Sequence, residues 1–196
     1  LIYRIAPGKD PAVLCRTGDS HVWGLVPDGR RGLYAATGGD AGRILRVSSK
    51  GGVDEVYRTS DHNVVSLTKG PDGTLYSGTD ENGLVHVVRP DGEVGVLYDA
   101  PEKEIHTLAL GPDGILFAGA MSGSARRERG NAAPQGQTEQ VVQAKARESS
   151  VIYAIRPSGA AFRIWEAHEP MLLALSVDQQ GEITAVTGEL GKIYRI

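Results

Sequence analysis

Three residues able to hold a cation or a proton recur at one spacing. They are His21, Asn63 and Glu104, 42 and 41 residues apart, with Met171 at the matching place further on. Polar side chains flank each of them: Asp19 near His21, Asp61 and His62 before Asn63, Glu102 and Lys103 before Glu104, His168 and Glu169 before Met171. Oxygen-rich sets of this kind suit one Ca²⁺ or Mg²⁺ ion, and His21, Asn63 and Glu104 are compatible ligand types. Met171 is a poor ligand for so hard a cation. The same residues also read as solvated loop polars with no cofactor. Trp23, two residues after His21, is of a type that stacks on a ligand or packs as a core aromatic. The binding candidates are therefore His21, Trp23, Asp61, His62, Asn63 and Glu104, of which His21, Asn63 and Glu104 are the metal candidates.

Other chemistry is excluded by its missing motifs. There is no P-loop, no Gly-x-Ser-x-Gly elbow, no paired CxxC and no HExxH. The lone Cys15 cannot form an internal disulfide and reads as a small core filler. With 21 basic against 24 acidic residues, a net charge of −3 in 196 residues, the chain lacks the basic stripe of a nucleic-acid groove. Its apolar runs fall short of the ~18 residues that span a membrane.

The elements that must carry these residues repeat. Gly32-Leu33-Tyr34-Ala35-Ala36-Thr37 aligns with Thr74-Leu75-Tyr76-Ser77-Gly78-Thr79 and with Ile115-Leu116-Phe117-Ala118-Gly119-Ala120. The leucines stand 42 and 41 residues apart, and a fourth copy begins at Glu182. Upstream of each copy lies Val22-Trp23-Gly24-Leu25, Val64-Val65-Ser66-Leu67, Ile105-His106-Thr107-Leu108 or Leu172-Leu173-Ala174-Leu175. The third place is always small, which lets sheets approach, and the fourth is always Leu, which fills the space between them. Turns such as Gly70-Pro71-Asp72-Gly73 separate the two runs: Pro presets φ, Asp caps its own turn and Gly accepts positive φ. Four short runs per period of 41–42 residues predict an all-β chain, a β-propeller of four-stranded antiparallel blades. Within it, His106 on a first strand reads as a buried, hydrogen-bonded histidine, and His86 on a third strand as a packing residue between blades.

With strands lettered a to d from the axis outward, the chain reads as a partial blade (1–18), blades at 19–60, 61–102 and 103–168, and a partial blade at 169–196. Leu1-Ile2-Tyr3-Arg4-Ile5 matches Lys192-Ile193-Tyr194-Arg195-Ile196 as a repeated strand c. A ring protects its sheet edges by closing. The expectation is therefore part of a larger seven- or eight-bladed propeller, completed by the rest of the same ring or by a second copy. Since Leu1 is not Met, the natural start is expected upstream.

The Pro-Asp-Gly turn followed by a [Leu/Ile]-[Tyr/Phe]-x-[Ala/Gly]-[Thr/Gly] strand resembles bacterial propellers with NHL and SMP-30/gluconolactonase-like repeats. The Gly-His and Trp-Asp pairs of WD40 blades are absent. The resemblance covers nearly the whole chain outside residues 121–149. It implies sites where d–a and b–c loops gather round a central channel, and in SMP-30-like hydrolases Glu, Asn and Asp there hold one divalent cation. It also implies a secreted or periplasmic location. Because no complete catalytic constellation is present, the expectation is a non-catalytic scaffold that binds a protein or a small molecule. The alternative is a metal-dependent hydrolase or lyase acting on a small molecule at the channel mouth.

Residues 121–149 interrupt the third full blade between strands b and c. Their composition is polar, with Arg126, Arg127 and Arg129 available to meet an acidic partner, and 138–147 as a possible short helix. The segment is either a disordered surface loop or, on the same face as the candidate residues, a lid or partner-binding arm. Replacing 124–147 by a Gly-Ser bridge is expected to leave the fold intact, because little apolar surface is removed. Binding of the natural partner or ligand is expected to fall. Loss of the cooperative unfolding transition in the deletion variant would contradict this reading.

Overall fold

The Asp-Gly turns form as their chemistry requires. Asp28 Oδ1 accepts from the backbone N–H of Arg30 at 2.6 Å and of Gly32 at 2.8 Å, and these bonds hold its carboxyl below the usual carboxylate range. Asp72 accepts from the Thr74 backbone N–H and hydroxyl, and Asp178 from the N–H groups of Gln180 and Glu182. Gly73, φ +94°, supplies the left-handed position that closes its turn.

Residues 1–122, 149–168, 171–188 and 191–196 are described in the computed structural model, and all their regular structure is strand. An antiparallel pair comes first, β1 (Ile2–Arg4) with β2 (Ala12–Cys15). Three four-stranded blades follow. The first comprises β3 (His21–Pro27), β4 (Leu33–Gly38), β5 (Arg43–Val47) and β6 (Val53–Arg58). The second comprises β7 (Val64–Lys69), β8 (Leu75–Thr79), β9 (Leu84–Val88) and β10 (Val94–Asp99). The third comprises β11 (Glu104–Leu110), β12 (Leu116–Met121), β13 (Ser150–Ile155) and β14 (Ala161–Ala167). A three-stranded sheet closes the series: β15 (Leu172–Val177), β16 (Ile183–Thr187) and β17 (Ile193–Arg195). Within every sheet, successive strands pair with their neighbours antiparallel, and β3, β7, β11 and β15 are innermost and lie side by side. This is a β-propeller. Most of residues 121–149, including Arg126, Arg127, Arg129 and 138–147, lies outside the described residues.

The hydrophobic cores lie between sheets. Cys15 and Ile2 pack on Ala35, Leu45 and Val47. Ile44 and Ala36 of the first blade meet Val64, Leu75 and Val88 of the second. Val85 meets Ile105, Leu116 and Val151, and Phe117 and Ile152 meet Leu172 and Ile183. His86 is 4% exposed and packs on Tyr57 of the preceding blade, with ring centroids 5.2 Å apart.

The small third residue of each innermost strand does more than leave room. Ser66 Oγ donates to the Ile105 carbonyl of the next blade at 2.6 Å, and the Leu175 N–H donates to Thr107 Oγ1 at 3.2 Å. The fourth-place leucines Leu67, Leu108 and Leu175 pack against the blade before them. Leu25 does not join such a cluster, and 52% of it is exposed.

Gly78 sits where β8 faces β11. A Cβ there would come within 2.5 Å of the Ile105 carbonyl oxygen, which is backbone and cannot swing aside. Gly78→Ala is therefore expected to destabilise the protein by about 1–3 kcal/mol, as overpacking does. Denaturant unfolding checks this, and an unchanged midpoint would refute the joint as described.

Candidate functional site

Every innermost strand carries a bulge at the same place. Its pairing slips between Val22 and Gly24, Val64 and Ser66, Ile105 and Thr107, and Leu172 and Ala174. The residues at the slip are Trp23, Val65, His106 and Leu173. A bulge re-aims the side chain it carries. Trp23 and Leu173 are 46% and 43% exposed, whereas Val65 and His106 at the same place are half-buried. His106 is hydrogen-bonded as expected, but it is only partly buried. Its Nδ1 lies 2.6 Å from Glu104 Oε1.

Around Trp23 a polar chain crosses from the first blade to the second. The indole Nε1–H donates to Asn63 Oδ1 at 3.0 Å, and the His21 ring stacks on the indole at 5.3 Å between centroids. Asn63 Nδ2 donates to Asp80 Oδ2 at 2.6 Å, and the Asn63 backbone N–H donates to Asp80 Oδ1 at 3.1 Å. A backbone bridge joins Asn63 to Gly38, where a Cβ would collide with the Asn63 amide, so glycine is required for this seat. Burial pushes the Asp80 carboxyl above the usual carboxylate range despite both bonds from Asn63, and the charges of Glu81 and Glu104 push it the same way.

The structure thus brings His21, Trp23 and Asn63 together and sets Glu104 close to Asp80. His62 points elsewhere: it is exposed and pairs with Glu81 at 2.8 Å, a hydrogen bond that raises its pKa. Asp61 is not at the mouth. It is 1% exposed, turned inward, and accepts a hydrogen bond from Asn82 Nδ2. Each metal candidate already has a partner within the protein, and among the described residues no three His, Cys, Asp or Glu side chains gather as a metal site. Asp80, in the β8–β9 loop, is a site residue that sequence reasoning missed. The tetrapeptide Asp80-Glu81-Asn82-Gly83 reads as a tight connection, and only the three-dimensional contact with Asn63 singles out its first carboxylate.

Asp19, Ser20, Asp40, Arg43 and Arg58 line a cavity of about 250 Å³. Arg43 in its wall is tied to Asp19 and Glu55, and Arg58, also in its wall, to Glu55. Among the described residues no helix is long and apolar enough to cross a membrane.

No family model matches the sequence, and no curated protein sequence matches it. Solved structures do. Virginiamycin B lyase from Staphylococcus aureus superposes with a TM-score of 0.56 at 15% identity, over 89% of this chain and 55% of the lyase. A structure reported as a candidate gluconolactonase gives 0.60 at 16% identity, over 90% of this chain and 60% of that one. An auxiliary nutrient binding protein from Bacteroides ovatus gives 0.59 at 12% identity, over 90% and 38%. At these identities the likeness is one of fold, and the chain spans little more than half of the lyase it matches.

The Asp80 environment has a thermodynamic consequence. Its carboxyl keeps a proton to higher pH in the folded chain than in the unfolded one, so between the two pKa values the folded state binds more protons. Stability is then greatest below the unfolded value near ~4 and falls as pH rises through the folded value. Asp80→Asn turns one of the two oxygens that accept from Asn63 into a donor, so the variant loses one bond at every pH. The Tm of the unaltered protein minus that of Asp80→Asn is therefore expected to shrink as pH rises from ~4 to ~7. A difference that does not change with pH would contradict this account.

Proposed function

We propose that the protein is a non-catalytic binding propeller that takes a small molecule at the channel mouth. The observation that carries this reading is Trp23. A half-exposed indole is fixed on one side by the His21 ring and at its edge by Asn63, beside the carboxylate of Asp80. A rigid aromatic surface with a few oriented polar groups is how proteins commonly seat small ligands. No side chain in the group has the nucleophile–base pairing of covalent catalysis. The nutrient binding protein among the structural neighbours is consistent with a propeller used in this way.

The second reading is a metal-dependent hydrolase or lyase of SMP-30-like type. In its favour, the charge of Glu104 acts on Asp80, and a lyase and a candidate gluconolactonase share the fold. In that case Asp80 and Glu104, with Asn63 and His21 near them, would hold one Ca²⁺ or Mg²⁺, which would polarise a substrate oxygen.

A Trp165→Phe variant leaves Trp23 as the sole tryptophan. Titrating it with a panel of sugars, amino acids and aldonolactones is expected to shift Trp23 emission with at least one member. The matching binding heat should be lost in Trp23→Ala, with no product formed. Binding heat from Ca²⁺ or Mg²⁺ alone, together with metal-dependent turnover of a lactone, would replace the first reading by the second.

A further inference from the structure

Beneath the mouth, the joint between the first and second blades contains a group of polar atoms that the proposed binding site does not use. Asp61 Oδ2, Ser77 Oγ and His86 Nδ1 are all buried, and none has a hydrogen-bond partner among the described residues. Their residues are 1%, 0% and 4% exposed. Ser77 and His86 face each other across β8 and β9, which places both side chains on one face of the sheet. The other side of the imidazole is covered by Tyr57 of β6. Asp61 follows β6 in the loop entering β7. Its N–H donates to Thr59 Oγ1 at 3.3 Å, its carbonyl accepts from the Gly42 N–H at 2.6 Å, and its Oδ1 accepts from Asn82. The Asp61 charge also acts on His86, opposing the fall in pKa that burial causes.

Three such atoms left without partners would each cost about 1–3 kcal/mol, a large total for a protein of this size. Internal water removes this penalty in folded proteins, typically by making about three hydrogen bonds to otherwise unsatisfied groups. We propose that Asp61 Oδ2, His86 Nδ1 and Ser77 Oγ enclose a hydration site for a single internal water molecule. The water donates one proton to the Asp61 carboxylate. Its second proton and its lone pairs serve the serine hydroxyl and the imidazole, whichever tautomer His86 adopts. The neighbouring repeats explain why this joint is the place for it. Asp19 and Glu102 stand 42 residues before and 41 after Asp61, and each also has one buried carboxylate oxygen without a partner. Among the described residues, only the joint of Asp61 has a serine and a histidine that supply two further unpartnered atoms. Through the Asn82–Asp61 bond, the hydrated joint anchors the loop that presents Asp80.

A high-resolution crystal structure of the chain tests the proposal directly. The expected result is one solvent peak at hydrogen-bond distance from all three atoms. In solution, ¹⁷O relaxation dispersion should count one fewer long-lived water in Ser77→Val, whose added methyl groups fill the space and remove the hydroxyl. A direct bond from His86 Nδ1–H to Asp61 Oδ2 with no solvent peak would overturn the proposal, as would a peak with the short contacts of a metal cation. Should Ser77→Val fail to fold, the structure of the unaltered chain still decides.

Discussion

The innermost strand of each blade has to serve two sheets at once. Its backbone completes its own blade, while its third side chain reaches the strand next to it round the axis. The Ser66 hydroxyl on the Ile105 carbonyl, and Thr107 Oγ1 receiving the Leu175 N–H, are this second attachment. Each bond contributes only about 1 kcal/mol net. Their geometry, however, demands backbone approach close enough that Gly78 and Gly119 tolerate no ordinary side chain without a shift in Ile105 or Leu172. The apolar contacts between blades then follow, because Ile105 and Leu172 can be fully buried only if the sheets meet this closely.

This constraint also decides where large or chemically active side chains can go. Near the middle of the ring there is space only for Gly, Ser, Thr and Ala. A bulge one residue earlier interrupts the pairing of each innermost strand, and the side chain there is not held to the small size of the third place. Trp23 and His106 occupy such places, so the mouth acquires its ring-bearing groups without disturbing the contacts beneath it. The polar partners arrive from loops on the same end of the sheets: Asn63 from the entry to β7 and Asp80 from the β8–β9 turn. Antiparallel alternation brings these two kinds of loop to one face.

Much of the fold was legible because its rules are local or periodic. Pro-Asp-Gly turns, alternating third strands and the 41–42-residue period each have a short-range cause, and the strands form where those causes place them. Cys15 and His86 could be assigned to packing from their positions in the repeat alone. What escaped the sequence depends on contacts between distant residues. Leu25 obeys the leucine pattern yet lies open. The bulge leaves no compositional mark, so the partial exposure of His106 and its bond to Glu104 were hidden. Asp61 and Asn63 are two residues apart and equally polar, but one seals a blade joint and the other holds Trp23. Asp80 was hidden for the same reason, being singled out only by its contact with Asn63.

The repeats offer an internal comparison that bears on function. Positions that build the joint are alike from blade to blade: small in third place, leucine in fourth, and at 19, 61 and 102 an Asp or Glu with one buried carboxylate oxygen. Positions at the mouth differ in every blade: Trp, Val, His and Leu at the bulge, and His, Asn, Glu and Met at the strand entry. Packing makes the same demand on each joint, so the joint residues repeat. A ligand lying across the axis presents a different part of itself to each blade, so residues that touch it have no reason to repeat. The joints repeat and the mouth does not, so whatever distinguishes this chain from another propeller lies at the mouth and not in the scaffold beneath it.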